Sequence, residues 1–234
     1  MNKNSPQVIC LDGPSGVGKG TICLAVAEHL NWHILDSGSL YRITALVVSR
    51  QFPDIDVTTI DVAQLADIAL NLSVSYQQVD NDLVILLGGE DITKLIRNEE
   101  MGAKASQVAA IPAVREALLA RQRAFLQQPG LVADGRDMGT VVFPDSVLKI
   151  YLTASPEERA QRRYKQLKDK GIDVNLSSLV EDLRLRDERD MNRETAPLKP
   201  ASDAIIIDTT ELDIQHVTLA VMNWVNERVN ARLS

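Results

Sequence analysis

The apolar positions of this chain gather into five short runs, with stretches of helical periodicity between them. Val8-Ile9-Cys10-Leu11-Asp12 is the first, and it ends in a glycine-rich turn, as a buried parallel strand does. Beyond the turn, Thr21 to Leu30 places Ile22, Ala25, Val26 and His29-Leu30 near helical spacing. His33 to Asp36 is a second strand. Ser37 and Ser39 then offer caps for a helix that starts near Gly38 and runs toward Arg50. Leu131 to Asp134, Val147 to Leu152 and Ala204 to Asp208 supply three more strands, with helical stretches between and after them. This alternation predicts an α/β three-layer fold around a five-stranded parallel sheet.

One region breaks the pattern. After Pro53 to Thr59 and a short helix over 61–70, Leu72, Val74 and Tyr76 alternate with polar residues. Asp80-Asn81-Asp82 follows, and Leu83, Ile85 and Leu87 alternate again before Gly88-Gly89. Period-two runs on either side of a polar turn predict an antiparallel hairpin, which belongs in an inserted lobe rather than in a parallel sheet. Asn98 to Gln128 is mostly helical, with Pro112 as the break. The expected organisation is a single domain over 1–234 carrying an inserted lobe over 37–115.

Composition narrows the class. Of 234 residues, 45% are apolar and 24% charged, as in soluble globular proteins. No apolar run approaches the roughly 20 residues that cross a bilayer. Met1 to Gln7 is polar and leads straight into a strand, so no signal peptide or membrane anchor is expected and the cytoplasm is the expected location. Cys10 and Cys23 have no nearby Cys or His and read as reduced core thiols; His29, His33 and His216 are scattered and read as structural or surface residues. The net charge of −7 argues against a general nucleic-acid binder and requires that any positive charge used on phosphates be concentrated.

Gly13-Pro14-Ser15-Gly16-Val17-Gly18-Lys19-Gly20-Thr21 contains the GxxxxGK pattern of a phosphate-binding loop, with a strand before it and a helix after it. Glycines let the backbone turn its N–H groups toward an anion, and the helix adds its positive end. Lys19 reaches the β- and γ-phosphates of ATP and follows charge during transfer. The general pattern has Ser or Thr directly after the lysine, as a magnesium ligand. Here Gly20 intervenes and the hydroxyl belongs to Thr21. No direct protein ligand for Mg2+ is therefore expected; Thr21 and Asp134 are candidates to hold it through water. Asp134 reads equally well as a turn or cap residue.

Positive charge is concentrated where it is needed. Arg159, Arg162 and Arg163 form one cluster, and Arg184, Arg186, Arg189 and Arg193 another. Leu176, Leu179, Val180 and Leu183 make a helical apolar stripe that continues into Asp187 and Asp190, with Arg186 and Arg193 on its flank. A charged face where a core face should be predicts a buried or cleft-facing ion network rather than a solvated helix. Between the clusters, Lys165, Lys168, Lys170 and Gly171 suggest a short mobile cover, a lid over 156–175 that closes on phosphates and excludes water. Arg42, in the first turn after the second strand, and Arg136, after the third, sit at strand ends where parallel sheets bind ligands. Together they predict a second anion site beside the phosphate loop.

These segments carry a resemblance. Gly13 to Thr21, Asp36-Ser37-Gly38-Ser39-Leu40-Tyr41-Arg42, Ala105-Ser106-Gln107-Val108-Ala109-Ala110 and Asp134-Gly135-Arg136-Asp137-Met138-Gly139-Thr140-Val141-Val142-Phe143-Pro144 follow in order along the chain. Arg186-Asp187-Glu188-Arg189-Asp190-Met191-Asn192-Arg193 completes the set. The chain resembles the bacterial cytidylate kinases of the nucleoside monophosphate kinase family. The loop is generic to the superfamily, whereas the DGRDMGTVVFP stretch is specific, and Gly20 is usual in monophosphate kinases.

The resemblance implies phosphoryl transfer from ATP to CMP or dCMP with magnesium; nothing in the sequence demands more than a monomer, which is the expected state. It implies acceptor-phosphate contacts at Ser37, Arg42, Arg136 and Arg193, and cytosine reading at Ser106, Arg115 and Asp137. Arg186 and Asp190 would contact sugar and phosphate, and Arg163 would be a lid arginine. Lys19, Arg163, Arg186 and Arg193 are the implied catalytic residues, and the hairpin is the family's insert in the monophosphate-binding lobe. Spacing alone reads Arg115 as a surface helix residue. A carboxylate such as Asp137 suits the cytosine amino group and repels the uracil carbonyl. Rival readings are a kinase of the same fold acting on UMP, AMP or a sugar acid, and a P-loop nucleotide switch.

Overall fold

The computed structural model of the chain describes residues 6–79, 82–169 and 171–230. These divide into two compact units, one of residues up to Asp36 together with the chain from Gln122 onward, the other Ser37–Arg121. The Asp80-Asn81 part of the expected hairpin turn, and Lys170, lie outside the described residues.

In the first unit, β1 (Gln7–Asp12) leads through the glycine loop into α1 (Lys19–Leu30), and β2 (His33–Asp36) follows. In the second unit come α2 (Ser37–Gln51), α3 (Val62–Leu70), β3 (Val74–Val79), β4 (Asp82–Leu87), β5 (Glu90–Asp91) and α4 (Glu99–Val108). Helix α5 (Pro112–Arg123) contains the boundary. The first unit then resumes with β6 (Gly130–Gly135), β7 (Leu148–Thr153), α6 (Pro156–Asp169), α7 (Leu176–Asn192), β8 (Ile205–Asp208) and α8 (Ile214–Val225).

The five strands of the first unit form one parallel sheet in the order β2-β6-β1-β7-β8. Because every strand runs the same way, their C-terminal ends share one edge. Register makes this concrete: Asp36 is level with Asp134, Asp134 with Leu11, and Asp12 with Tyr151. Ile9, Leu11, Val132, Ile150 and Leu152 pack with Ile22 and Val26 of α1 and Val217, Val221 and Val225 of α8. Each such side chain contributes about 1.5–3 kcal/mol through burial, so this face holds the site's edge rigid. Trp32 lies flat against the start of β6; a Cβ on Gly130 would stand 2.4 Å from its Cδ2. Helices α6 and α7 pair through a small cluster of their own, Ala160, Leu167, Leu179 and Leu183.

The second unit packs α2 against α4 and carries the three-stranded antiparallel sheet β3-β4-β5. Tyr76 pairs with Ile85 in the hairpin, and the Ser39 and Tyr76 hydroxyls lie 3.0 Å apart, tying α2 to β3. The two-residue β5 has too short a pattern to be read from sequence. Two expectations shift. Ser37 is the first residue of α2 and not a cap outside it, which moves Arg42 from the first turn to the second. The helical reading to Gln128 stops at Arg123. Pro112 marks the expected break: α4 ends at Val108 and Pro112 opens α5, where its missing N–H costs nothing.

Candidate active site

The phosphate loop leaves β1 through Gly13, whose φ of +146° and closeness to β7 admit no side chain: a Cβ there would lie 2.1 Å from the Leu152 carbonyl oxygen. Gly18 has φ +94° and starts α1, placing Lys19 in the first turn. The Lys19 ammonium donates to the carbonyls of Gly13 at 2.9 Å and Pro14 at 2.8 Å, and lies 3.8 Å from Asp134 Oδ1. Burial lowers the proton affinity of this ammonium, Arg136 adds to that, and Asp134 opposes both. Burial likewise raises the Asp134 carboxyl, against the pull of Lys19. Asp134 sits inside β6, level with Leu11 and Asp36, which removes its reading as a turn or cap residue. A Cβ on Gly20 would stand 3.7 Å from Asp134 Oδ2, so this carboxylate faces the first turn of α1. Thr21 is exposed on the same helix.

A second carboxylate lies under this edge. Asp12, the last residue of β1, is buried and accepts the backbone N–H of Met138 and of Gly139, both at 2.8 Å. Burial pushes its carboxyl up to about 6, although those two donors favour the ionised form. They fix the start of a single π-helical turn, Met138–Val142, directly after Arg136 and Asp137. The sequence signal for Asp12 is an acidic residue closing an otherwise apolar strand, on the side of the strand that Cys10 also occupies.

The ion network expected on α7 exists. Asp187 and Asp190 are buried on the continuation of the Leu179–Leu183 stripe. Arg136 Nε donates to Asp190 Oδ2 at 3.1 Å. Burial alone would raise the Asp190 carboxyl, but Arg136, Arg186 and Arg193 together hold it below the usual carboxylate range. Arg193 caps the helix C-terminus; its Nε donates to the Ala196 carbonyl at 2.6 Å and its Nη2 lies 3.5 Å from Asp137 Oδ1. Arg186 Nη1 reaches the hydroxyl of Ser15, in the phosphate loop, at 3.4 Å. Lys19, Asp134, Arg136, Asp137, Arg186, Asp190 and Arg193 are thus gathered in the first unit.

The first arginine cluster divides by role. Arg159 is buried and paired with Asp187. Arg162 donates to the Thr209 carbonyl at 2.5 Å and to that of Leu212 at 3.2 Å. Arg163, further along α6, donates to Gln166 Oε1 at 3.2 Å. Lys165 and Lys168 are exposed on the same helix, and Gly171, with φ +73°, ends it by donating to the Lys168 carbonyl at 2.9 Å.

Ser37, Arg42, Ser106 and Arg115 belong to the second unit. Ser37 and Ser106 are buried. Arg42 Nη1 donates to the carbonyls of Ile96 at 2.7 Å and Asn98 at 3.0 Å, holding the start of α4 against α2. Arg115 is not the surface residue that its spacing indicates: it is 6% exposed, donates to the Ala109 carbonyl at 3.3 Å and lies over the Tyr41 ring at 5.4 Å. Spacing failed here because α5 turns this position inward on α2, a tertiary fact. Tyr41, in the same motif as Ser37 and Arg42, provides the ring that Arg115 lies over.

A phosphate loop on the central strand of a sheet ordered β2-β6-β1-β7-β8, with paired arginines on the same edge, is the architecture of the P-loop kinases. The family model described as cytidylate kinase matches residues 9–227. The cytidylate kinase of Aeromonas salmonicida is 52% identical over 222 residues, covering 95% of both chains. That of Photobacterium profundum is 50% identical, covering 99% of this chain and 100% of its own, and that of Stutzerimonas stutzeri is 54% identical, covering 94% and 96%. The chain belongs to the cytidylate kinase family. No helix among the described residues is long and apolar enough to cross a membrane.

Proposed function

We propose that the chain transfers the γ-phosphoryl group of ATP to CMP or dCMP, giving ADP and CDP or dCDP. The supporting observation is the two ion pairs Arg136–Asp190, which is also hydrogen-bonded, and Arg193–Asp137, on the sheet edge that also carries the phosphate loop. Guanidinium groups already held by carboxylates are oriented before an anionic acceptor arrives, so less ordering is required on binding. In this reading Gly13 to Thr21 bind ATP. Arg136 and Arg193, with Ser37 and Arg42, hold the acceptor phosphate. Arg186 and Asp190 contact sugar and phosphate, and Ser106, Arg115 and Asp137 read cytosine.

The acceptor is a phosphate oxygen already ionised near neutrality, so no general base is needed. Lys19, Arg186 and Arg193 neutralise charge that spreads over the transferred group, and the loop N–H groups fix its line of flight. Asp134 fits a magnesium ion that keeps most of its waters: it is a hard oxygen donor facing the turn that carries Gly20 and Thr21. Such an ion, bound with ATP, would offset charge on the β- and γ-oxygens. Arg162 and Arg159 pin the first turns of α6, so the cover proposed over 156–175, bearing Arg163, moves beyond them. One chain supplies every proposed residue, consistent with a monomer working where ATP and CMP are found, in the cytoplasm.

A coupled assay of ADP formation across CMP, dCMP, UMP and AMP tests the reading. CMP and dCMP should be used far better than UMP or AMP. A clear preference for AMP, or ATP hydrolysis that ignores all four acceptors, would refute it.

A further inference from the structure

Arg159 has a role that the nucleotide contacts do not account for. It is one of the largest fully buried side chains of the protein, at 2% exposure. Its guanidinium makes four bonds to three separate segments. Nε donates to the carbonyl of Ala154, just past β7, at 3.1 Å. Nη1 donates to the carbonyl of Ser15 at 3.1 Å and to Asp187 Oδ1 at 3.2 Å, and Nη2 donates to Asp187 Oδ2. The aliphatic stem is used too. A Cβ on Gly16 would stand 3.2 Å from Arg159 Cβ, so the loop's backbone rests on the arginine itself.

The consequence follows from peptide geometry. The bond between Ser15 and Gly16 is planar and trans, so its C=O and N–H point in opposite directions. Arg159 draws the Ser15 carbonyl to one side and thereby turns the Gly16 N–H to the other. Gly16, at φ +85°, has little intrinsic preference to do this unaided. Asp187 holds the guanidinium in the plane that this requires, since a bidentate pair fixes orientation as well as distance. The neighbouring residue on α7, Arg186, reaches the Ser15 hydroxyl, and Asp190, one turn further on, holds Arg136. Ser15 is therefore held at its carbonyl by Arg159 of α6 and at its hydroxyl by Arg186 of α7, the helix that also supplies Asp187 to Arg159 and bears the proposed acceptor contacts.

We propose that Arg159, held by Asp187, is a positioning residue for the donor site: it sets the Ser15–Gly16 peptide plane of the phosphate loop and links the loop's geometry to that of α7. ATP and CMP then influence each other's affinity through the Ser15–Arg159–Asp187 connection. This rests on the ATP-to-CMP reading above. Burial of an ion pair is weak evidence for stability, because a well-packed apolar pair of similar volume often serves as well. What an apolar pair cannot do is bond the Ser15 carbonyl.

The test uses two variants of the full chain, Arg159→Lys and the double variant Arg159→Met with Asp187→Leu. The second leaves no orphaned charge, which guards against loss of folding by the first. Calorimetric titration with magnesium and a non-hydrolysable ATP analogue is run with and without CMP, beside titration with CMP alone. In a variant that keeps the parent's circular dichroism, the analogue's Kd should rise about tenfold and that for CMP alone should stay within about twofold. The factor by which CMP alters the analogue's affinity should fall to about one. An unchanged Kd for the analogue in a folded variant overturns the proposal, as does an equal loss for both ligands. A parent factor of one overturns the link between sites. If the parent binds the analogue yet does not phosphorylate CMP, the functional reading fails while the analogue's Kd still decides the role of Arg159.

Discussion

Gly139 donates its backbone N–H to the buried carboxylate of Asp12 and has no room for a side chain of ordinary clearance: a Cβ would meet Lys149 Cγ and Cδ at 3.1 Å and the same Asp12 oxygen at 3.4 Å. The two residues are 127 positions apart, and their contact sets where the turn after Asp137 begins. Asp12→Asn replaces one accepting oxygen by an N–H2 that faces a backbone N–H. The cost should be about 1–3 kcal/mol, read by chemical denaturation.

The same residue gives the protein a pH signature. The Asp12 carboxyl titrates near 6 when folded and near its ordinary 3.8 when unfolded. Between those values the folded state holds the extra proton, so the contribution is fully present below about 4 and is lost as pH rises through 6. The stability of the parent relative to Asp12→Asn should therefore fall across that window, by at most about 3 kcal/mol. Denaturation curves of both proteins at pH 4 and pH 7 measure it; a difference that grows with pH would contradict the assignment.

Lys19→Ala and Arg193→Ala should each cut turnover by on the order of 10²–10³. Lys19 lies among carbonyls and a carboxylate, so its removal leaves those oxygens without their cation. Arg193 should cost more in the KM for CMP than in that for ATP, because it also neutralises Asp137. Steady-state kinetics with each substrate varied in turn separates the two. Near-normal turnover in both variants would end the proposed roles.

Two glycines of the loop should respond in opposite ways. Gly13→Ala drives a Cβ into the Leu152 carbonyl and should destabilise by at least about 2 kcal/mol. Gly20→Ala meets only an ordinary contact with Asp134 inside a helix, and should be neutral or stabilising by up to about 1 kcal/mol. Thermal melts of the two variants beside the parent give the comparison.

Asp137→Asn should relax base preference. An amide can present its N–H to the uracil carbonyl as readily as its oxygen to the cytosine amine. The ratio of kcat/KM for CMP over UMP should drop by about 10- to 100-fold, the equivalent of about 1–3 kcal/mol. Arg115→Met should raise the KM for CMP while sparing that for ATP. An unaltered CMP-to-UMP ratio in Asp137→Asn would assign base reading elsewhere.

What the sequence made legible was local. The strand, glycine turn and helix around Lys19 follow from adjacent residues, and so do the five apolar runs that became the parallel sheet. The charged continuation of the Leu179–Leu183 stripe predicted the burial of Asp187 and Asp190, because helical periodicity states which way a side chain faces. Partners were not legible. Arg159 and Asp187 are 28 positions apart and Asp12 and Met138 are 126 apart, and periodicity carries no information about such pairs. Arg115 shows the limit from the other side: its spacing pointed outward, and packing against Tyr41 turned it in.

The stacking of Trp32 on the start of β6 has a practical use. The chain has two tryptophans, Trp32 and Trp224, and both lie in the first unit. Intrinsic fluorescence excited at the indole band thus reports on that unit alone. The second unit has no tryptophan and is seen only in far-ultraviolet dichroism, to which the helices and strands of both units contribute. Denaturation followed by both signals at once would show whether the two units melt in a single step, with no label added to the protein.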